Sequence, residues 1–214
     1  MKRSILGICS ILVGGAVVSM VLAGCGSTEA PALTASACPQ PSADGYFARD
    51  AFDREGVSGA SRAAWYSKLL RAMGEPSLHC ETVRPAYRFL WLRTFHHPVA
   101  VRIEARADGM HLSAVELSGA SGYDPGTIAR RVDRVLTATE ARTFDAALTR
   151  TKVWSVAPSE DEHGLDGAQW VIEAHDGKRQ AVHDRWSPER GRVRELGLAF
   201  LQLTGWRFPP DEIY

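Results

Sequence analysis

Two adjacent stretches of alternating apolar and charged residues, over 87–95 and 99–106, constrain the fold more than any other feature of the chain. Such alternation is typical of strands that bury one face of an antiparallel sheet. Asp-Gly at 108–109 predicts a tight hairpin turn, and a third strand is predicted over 110–117. The middle of the chain therefore predicts a three-stranded meander.

Apolar residues at helical spacing predict helices over 61–73 and near 128–135. A further helix is predicted behind the capping-box pattern Thr137-x-x-Glu140. Near the C-terminus, a second hairpin is predicted with Asp176-Gly177 at its turn, followed by a helix from about Arg192 to Gly205. The strands thus come in groups that helices separate.

Grouped strands of this kind indicate the α+β class. We expect an antiparallel sheet of about five strands, a meander plus a hairpin, with helices packed on one face. Residues 46–214 are enough for a single domain with a sizeable core.

The N-terminus has the layout of a secretory signal. Lys2 and Arg3 precede an uncharged apolar run from Ile5 to Gly24, with small residues just ahead of Cys25. The run is also long enough to cross a bilayer as an uncleaved helix. Its several glycines and serines make it a mediocre membrane helix, which favours cleavage.

Leu22-Ala23-Gly24-Cys25 resembles the lipobox of bacterial lipoproteins. The resemblance implies that 1–24 is a signal peptide, that Cys25 is lipidated, and that 25–45 is a lipid-anchored tether. In that family an Asp after the cysteine retains the protein in the inner membrane, and this chain has Gly26. We therefore expect a cell-envelope protein held to the membrane by lipid on Cys25, in the outer membrane and facing the periplasm.

The chain has four cysteines, of which Cys9 would leave with the signal and Cys25 would carry lipid. An exported protein meets oxidising conditions, so Cys38 and Cys80 are predicted to form a disulfide. Closing this loop would stabilise the fold by about 4 kcal/mol. A reactive or metal-binding thiol at Cys80, beside His79, is the alternative.

Charge argues against nucleic acid as a partner. The full chain has 25 basic and 25 acidic residues, and loss of Lys2 and Arg3 leaves a small acidic excess. Nucleic-acid-binding domains are usually strongly basic.

The sequence predicts no catalytic residue, no metal and no cofactor. Ser58 and Ser121 both fall short of the G-x-S-x-G pattern of hydrolases. His175 and His183 are predicted on opposite faces of their hairpin, which argues against a shared metal site. The acidic stretch 160–166 lacks the spacing of a calcium-binding EF-hand loop.

Arg93, Arg102 and Arg106 are the candidate ligand-binding residues, because arginines on one polar sheet face suit an anionic ligand. A solvated, salt-paired surface is the alternative for them. The aromatic residues of the C-terminal tail, Trp206 and Phe208 with Tyr214, are a candidate exposed patch.

The runs 89–98 and 185–191 are similar to runs in uncharacterised proteobacterial proteins, a resemblance that implies no activity. We expect a lipid-anchored envelope protein with a non-enzymatic domain that binds an envelope protein or a cell-wall partner. A small envelope hydrolase and a solute-binding lipoprotein with an arginine-lined site are the alternatives.

Overall fold

The computed structural model describes residues 45–53, 58–79, 84–157, 164 and 166–214. The predicted signal and the predicted tether up to residue 44, with Cys25 and Cys38, lie outside these residues, as does Cys80. Within the described part the chain order is α1 (Ala60–Met73), β1 (Ala86–Arg93), β2 (Val99–Arg106), β3 (Gly109–Leu117), β4 (Ile128–Val135), α2 (Ala138–Thr151), β5 (Ala168–His175), β6 (Gln180–Trp186) and α3 (Arg192–Leu203).

The described strands form one antiparallel sheet in the order β4-β3-β2-β1-β5-β6. The α+β class and the meander are confirmed, but the sheet has six strands where about five were expected. The extra strand is β4, whose residues were predicted to be helical. Strand β1, the first in the chain, lies inside the sheet because the hairpin β5–β6 pairs with its free edge.

Strand β4 shows why helical spacing misled the prediction. Its end residues Ile128 and Val135 are both 45% exposed, so they are not part of a buried helix stripe. Between them Arg130 and Arg134 form ion pairs with Glu116 on β3 and with Glu140 on α2. The Arg130–Glu116 pair spans 14 residues of the chain, and backbone pairing with the open edge of β3 favours the strand.

The helices pack on both faces of the sheet, which corrects the prediction of one face. Helices α2 and α3 cover one face through a core that includes Phe89, Trp91 and Trp170. Helix α1 covers the opposite face through a second core that includes Leu90 and Leu92. Since neighbouring residues of a strand point to opposite faces, β1 is buried on both sides, and between Arg88 and Arg93 its sequence is continuously apolar.

A glycine allows α3 to lie close to the sheet. A Cβ atom built on Gly197 would stand 2.6 Å from a ring atom of Trp170 and 2.9 Å from one of Phe89. One turn later Phe200 packs edge-on against Phe144 of α2, with ring centroids 4.9 Å apart. Gly197 therefore sets the distance between the helix layer and the sheet.

The ends of the elements follow the predicted local signals. Helix α1 ends at Gly74, which has the left-handed conformation that glycine adopts at no steric cost. At the start of α2, Thr137 and Glu140 form the predicted capping box. The second hairpin turns at Gly177-Lys178, one residue later than predicted, because His175 pairs with Gln180.

The C-terminal tail is packed against the core, so the exposed patch expected there is wrong. Trp206 and Phe208 with Tyr214 are half-buried against the core of the α2–α3 face. The indole N–H groups of Trp91 and Trp170 donate to the main-chain oxygen of Tyr214, at 3.5 and 2.7 Å. The tail is thus part of the domain's packing.

Candidate functional site

The sheet separates the three candidate ligand-binding arginines. Arg93 pairs in register with Ala168 and lies on the α2–α3 face. Arg102 and Arg106 lie on the α1 face, where both bond to Glu104, at 2.9 and 3.2 Å. The structure does not bring the three together, and the arginine-lined site expected from the sequence is not formed by them.

Arg93 fastens the tail to the sheet. Its guanidinium lies over the ring of Trp91, 4.0 Å from the centroid, and pairs with Glu212 at 2.8 Å. Burial lowers the pKa of Arg93, while Glu212 and Glu116 act in the opposite direction. The charge of Arg93 is therefore paired within the fold.

A buried ion cluster on the α1 face is also structural. Arg88 is fully buried and pairs with Glu173 at 2.6 Å, and Glu75 lies 3.7 Å from the same guanidinium. Arg102 bonds to Glu75 at 2.9 Å. Burial raises the pKa of Glu173, against the opposing effect of Arg88. The cluster joins the end of α1 to the middle of the sheet.

The side chains of His175 and His183 bond to main-chain groups. Both ring nitrogens of His183 face main-chain oxygens, those of Val153 at 2.7 Å and Ala157 at 3.3 Å. His175 accepts a hydrogen bond from the N–H of Gly177. Burial lowers the pKa of both side chains. As predicted, they lie on opposite faces, since His183 pairs with Ile172 of the α2–α3 face.

One cavity of about 270 Å³ lies beside the start of α3 and is lined by Arg185, Arg190 and Arg192. The last two are exposed, whereas Arg185 is buried and donates to the main-chain oxygens of Asp184 and Ala157. This cavity contains none of the three arginines singled out from the sequence.

A larger cavity, of about 560 Å³, lies on the α1 face at one end of β5 and β6. Its volume is within the range of small-molecule sites, roughly 300–1,000 Å³. We call it the aromatic cleft, because its wall contains Trp65, Tyr123 and Trp186; Arg62, Thr94, Asp166 and Gln169 complete the side chains around it, with Gly122 and Gly164.

The two indole rings of the aromatic cleft are held in place. Trp65 of α1 donates its indole N–H to the main-chain oxygen of Ser121 at 2.8 Å. Trp186 of β6 lies against Gly164 and Gly167, where an added Cβ would stand 2.4 and 2.5 Å from its ring atoms. Both tryptophans are half-buried, so a part of each ring is open to solvent. Such fixed rings can contact a ligand without a large loss of side-chain entropy.

Gln169 is the polar side chain of the aromatic cleft that most clearly lacks a partner. It lies on β5 directly opposite Trp186 and is only 7% exposed. Among the described residues, no group makes a hydrogen bond with its side-chain amide. Although little of the residue is exposed, the amide nitrogen and oxygen are open to solvent in the cleft. A ligand in the cleft would replace water as their hydrogen-bond partner.

The charges around the aromatic cleft are nearly balanced. The guanidinium of Arg62 pairs with the buried carboxylate of Asp184 at 3.1 Å, and the hydroxyl of Tyr66 donates to the same oxygen. Asp166 is exposed and, within the described part of the chain, forms no ion pair. The cleft therefore carries no surplus of positive charge that would attract a polyanion.

The sequence did not reveal this site, because the positions of the six tryptophans do not show which of them the fold buries. Trp91 and Trp170 are fully buried, whereas Trp65 and Trp186 stand at the cleft. The exposed stacking of Phe95 on Tyr123, with centroids 6.4 Å apart, extends the aromatic surface next to it. The signal available in the sequence for this site was Trp65, near the start of α1.

Comparison with protein-family models and with curated proteins gives no match. Within the described part of the chain, no three His, Cys, Asp or Glu side chains converge as a metal site would require. None of the described helices is long and apolar enough to span a bilayer.

Proposed function

We propose that this chain is a lipid-anchored protein of the cell envelope, whose domain binds a ligand in the aromatic cleft without transforming it. The lipobox-like sequence ending at Cys25 supports the anchor. The observation that carries the binding role is the amide of Gln169, which lines the cleft and has no hydrogen bond among the described residues, beside the exposed parts of two fixed indole rings. Convergence of aromatic faces with a few polar groups is typical of ligand sites.

The surroundings of the histidines favour binding over hydrolysis. His175 and His183 bond to main-chain groups, and His96 bonds to the hydroxyl of Tyr214 at 2.8 Å. A hydrolytic site would pair a histidine with a nucleophile. The main-chain oxygen of Ser121 holds Trp65, which is a structural role for that segment.

Labelling with palmitate tests the anchor. The full-length protein should take up the lipid in cells and fractionate with membranes, whereas Cys25→Ala should do neither. Uptake by the variant, or no uptake by the parent protein, would contradict lipidation at Cys25.

Photo-crosslinking in the same cells tests the binding role. A photoreactive phenylalanine analogue replaces Tyr123 at the aromatic cleft or, as the control, Leu198, which is 37% exposed on α3. We expect a specific adduct from position 123 and none from position 198. Absence of an adduct at position 123 would overturn the assignment of the cleft as the binding site.

A further inference from the structure

We propose that the aromatic cleft binds an N-acetylated oligosaccharide, the chemistry of the glycan strands of the bacterial cell wall. This inference rests on the proposed function, which makes the cleft the ligand site, and it adds the class of ligand. The inference follows from the aromatic rings, the Gln169 amide and the charge balance of the cleft.

The aromatic rings suit the apolar faces of sugars. A pyranose ring presents C–H groups on its face, and these pack well on an indole or phenol ring. Trp65 and Trp186 offer fixed rings inside the cleft, and Tyr123, which is 68% exposed, offers another at its mouth. Because Phe95 stacks on Tyr123 outside the cleft, the aromatic surface is longer than one sugar ring requires. An oligosaccharide fits this extent better than a monosaccharide.

The Gln169 amide suits an acetamido group. A primary amide has two donor hydrogens and an acceptor oxygen, and an acetamido group has one donor and one acceptor. Because Gln169 lies opposite Trp186 and lines the cleft, a sugar stacked on that indole would bring its ring substituents within reach of the amide. An acetamido group offers its donor and its acceptor on separate atoms, as the amide of Gln169 does, whereas a hydroxyl group offers both on a single oxygen.

The charges favour an uncharged polyol over a polyanion. The charge of Arg62 is balanced by Asp184, but Arg62 still has N–H groups that form no hydrogen bond among the described residues. The exposed carboxylate of Asp166 can accept hydrogen bonds from hydroxyl groups. The cleft therefore has no unbalanced positive charge to pair with a phosphorylated ligand, whereas it has donors and acceptors for hydroxyl groups.

Titration of the purified full-length protein in detergent with chitotriose and with cellotriose tests the inference. The two sugars share one backbone and differ in the acetamido groups. We expect saturable quenching of tryptophan fluorescence by chitotriose and binding of cellotriose that is about fivefold weaker, the equivalent of one hydrogen bond. Calorimetry on the same samples gives the affinities independently of fluorescence.

Two variants and a control locate the binding. Trp186→Ala should weaken chitotriose binding at least about tenfold, and Gln169→Leu should remove the preference for chitotriose over cellotriose. Trp154→Ala is the matched control, because Trp154 is a half-buried tryptophan on the other side of the sheet, under Arg179. Its affinity should stay within about twofold of the parent protein. Unchanged thermal unfolding of Gln169→Leu shows that a loss of preference is not a loss of folding.

Equal affinity for the two sugars, no binding of either, or equal loss in the Trp186→Ala and Trp154→Ala variants would overturn the glycan assignment. If position 123 still yields a specific adduct in cells, the cleft remains a binding site and only its ligand class is wrong. If neither adduct nor sugar binding is found, both proposals fail.

Discussion

The indole N–H of Trp65 donates a 2.8 Å hydrogen bond to the main-chain oxygen of Ser121, and this bond ties α1 to the loop between β3 and β4. The loop also contains Tyr123, so one hydrogen bond holds two sides of the aromatic cleft in place. We predict that Trp65→Phe lowers the free energy of unfolding in urea by about 1 kcal/mol or more, because the Ser121 oxygen loses its donor.

Trp154→Phe is the control for that change in size, since the Trp154 indole has no hydrogen bond among the described residues. Its loss of stability should be smaller. Equal losses in the two variants would show that the Trp65–Ser121 bond contributes nothing.

Arg88 and Glu173 form a buried ion pair whose members depend on each other. We predict that Arg88→Met destabilises the fold by about 3–5 kcal/mol, because it leaves the Glu173 carboxylate buried beside an apolar side chain. The double variant with Glu173→Leu should be markedly more stable than the single variant. Urea unfolding of the parent protein, both single variants and the double variant checks this, and additive losses would contradict it.

Gly197 lies where α3 meets the sheet, and alanine at that position should be harmful. Alanine usually stabilises the interior of a helix by about 1 kcal/mol relative to glycine. Here its Cβ would overlap Trp170 and Phe89, and overpacking costs about 1–3 kcal/mol, so we predict net destabilisation. Calorimetric melting checks this against Leu198→Ala, an exposed neighbour that should change stability far less. A higher melting temperature for Gly197→Ala would contradict the close packing.

His183 and His175 predict that acid weakens the fold. Burial lowers the pKa of both below the usual 6.5, so the unfolded chain takes up their protons more readily than the folded chain. Their contribution to stability is fully present above about pH 6.5 and is lost as the pH falls below it, toward the folded-state pKa values. The free energy of unfolding should therefore decrease between about pH 7 and about pH 5.

His183→Gln should reduce the slope of unfolding free energy against pH, since glutamine does not titrate. At neutral pH the variant should be less stable than the parent protein, because the hydrogen bonds of the side chain to Val153 and Ala157 change. Identical slopes for the parent protein and the variant would rule out His183 as a source of the pH dependence.

Local patterns predicted those parts of the fold that local forces decide. Alternation located β1 to β3, and Thr137 with Glu140 marked the start of α2, because these signals lie within a few residues of the structure they cause. Strand β4 was mistaken for a helix because its partner edge on β3, which includes the Glu116 that pairs with Arg130, lies elsewhere in the chain. The same limit placed all helices on one face, since a stripe of apolar residues does not say which side of a sheet it covers.

The aromatic cleft could not be predicted from the sequence, for a related reason. Its side chains come from α1, three loops and two strands, and only the fold brings Trp65 next to Gln169 and Trp186. In contrast, the three arginines selected from the sequence follow a common polar pattern along the strands but do not lie on the same face of the sheet. Arg93 holds the tail, while Arg102 bonds to Glu75 and Glu104.

The position of β1 inside the sheet has a consequence for how the chain reaches its native state. Strand β1 pairs with β2, which follows it directly in the chain. Its other edge pairs with β5, which comes only after β4 and α2. Until that hairpin arrives, β1 presents a long, apolar, unpaired edge of the kind that invites intermolecular association. A chain that emerges vectorially should therefore need a holding chaperone until its last third is present, and truncation before β5 should produce aggregates.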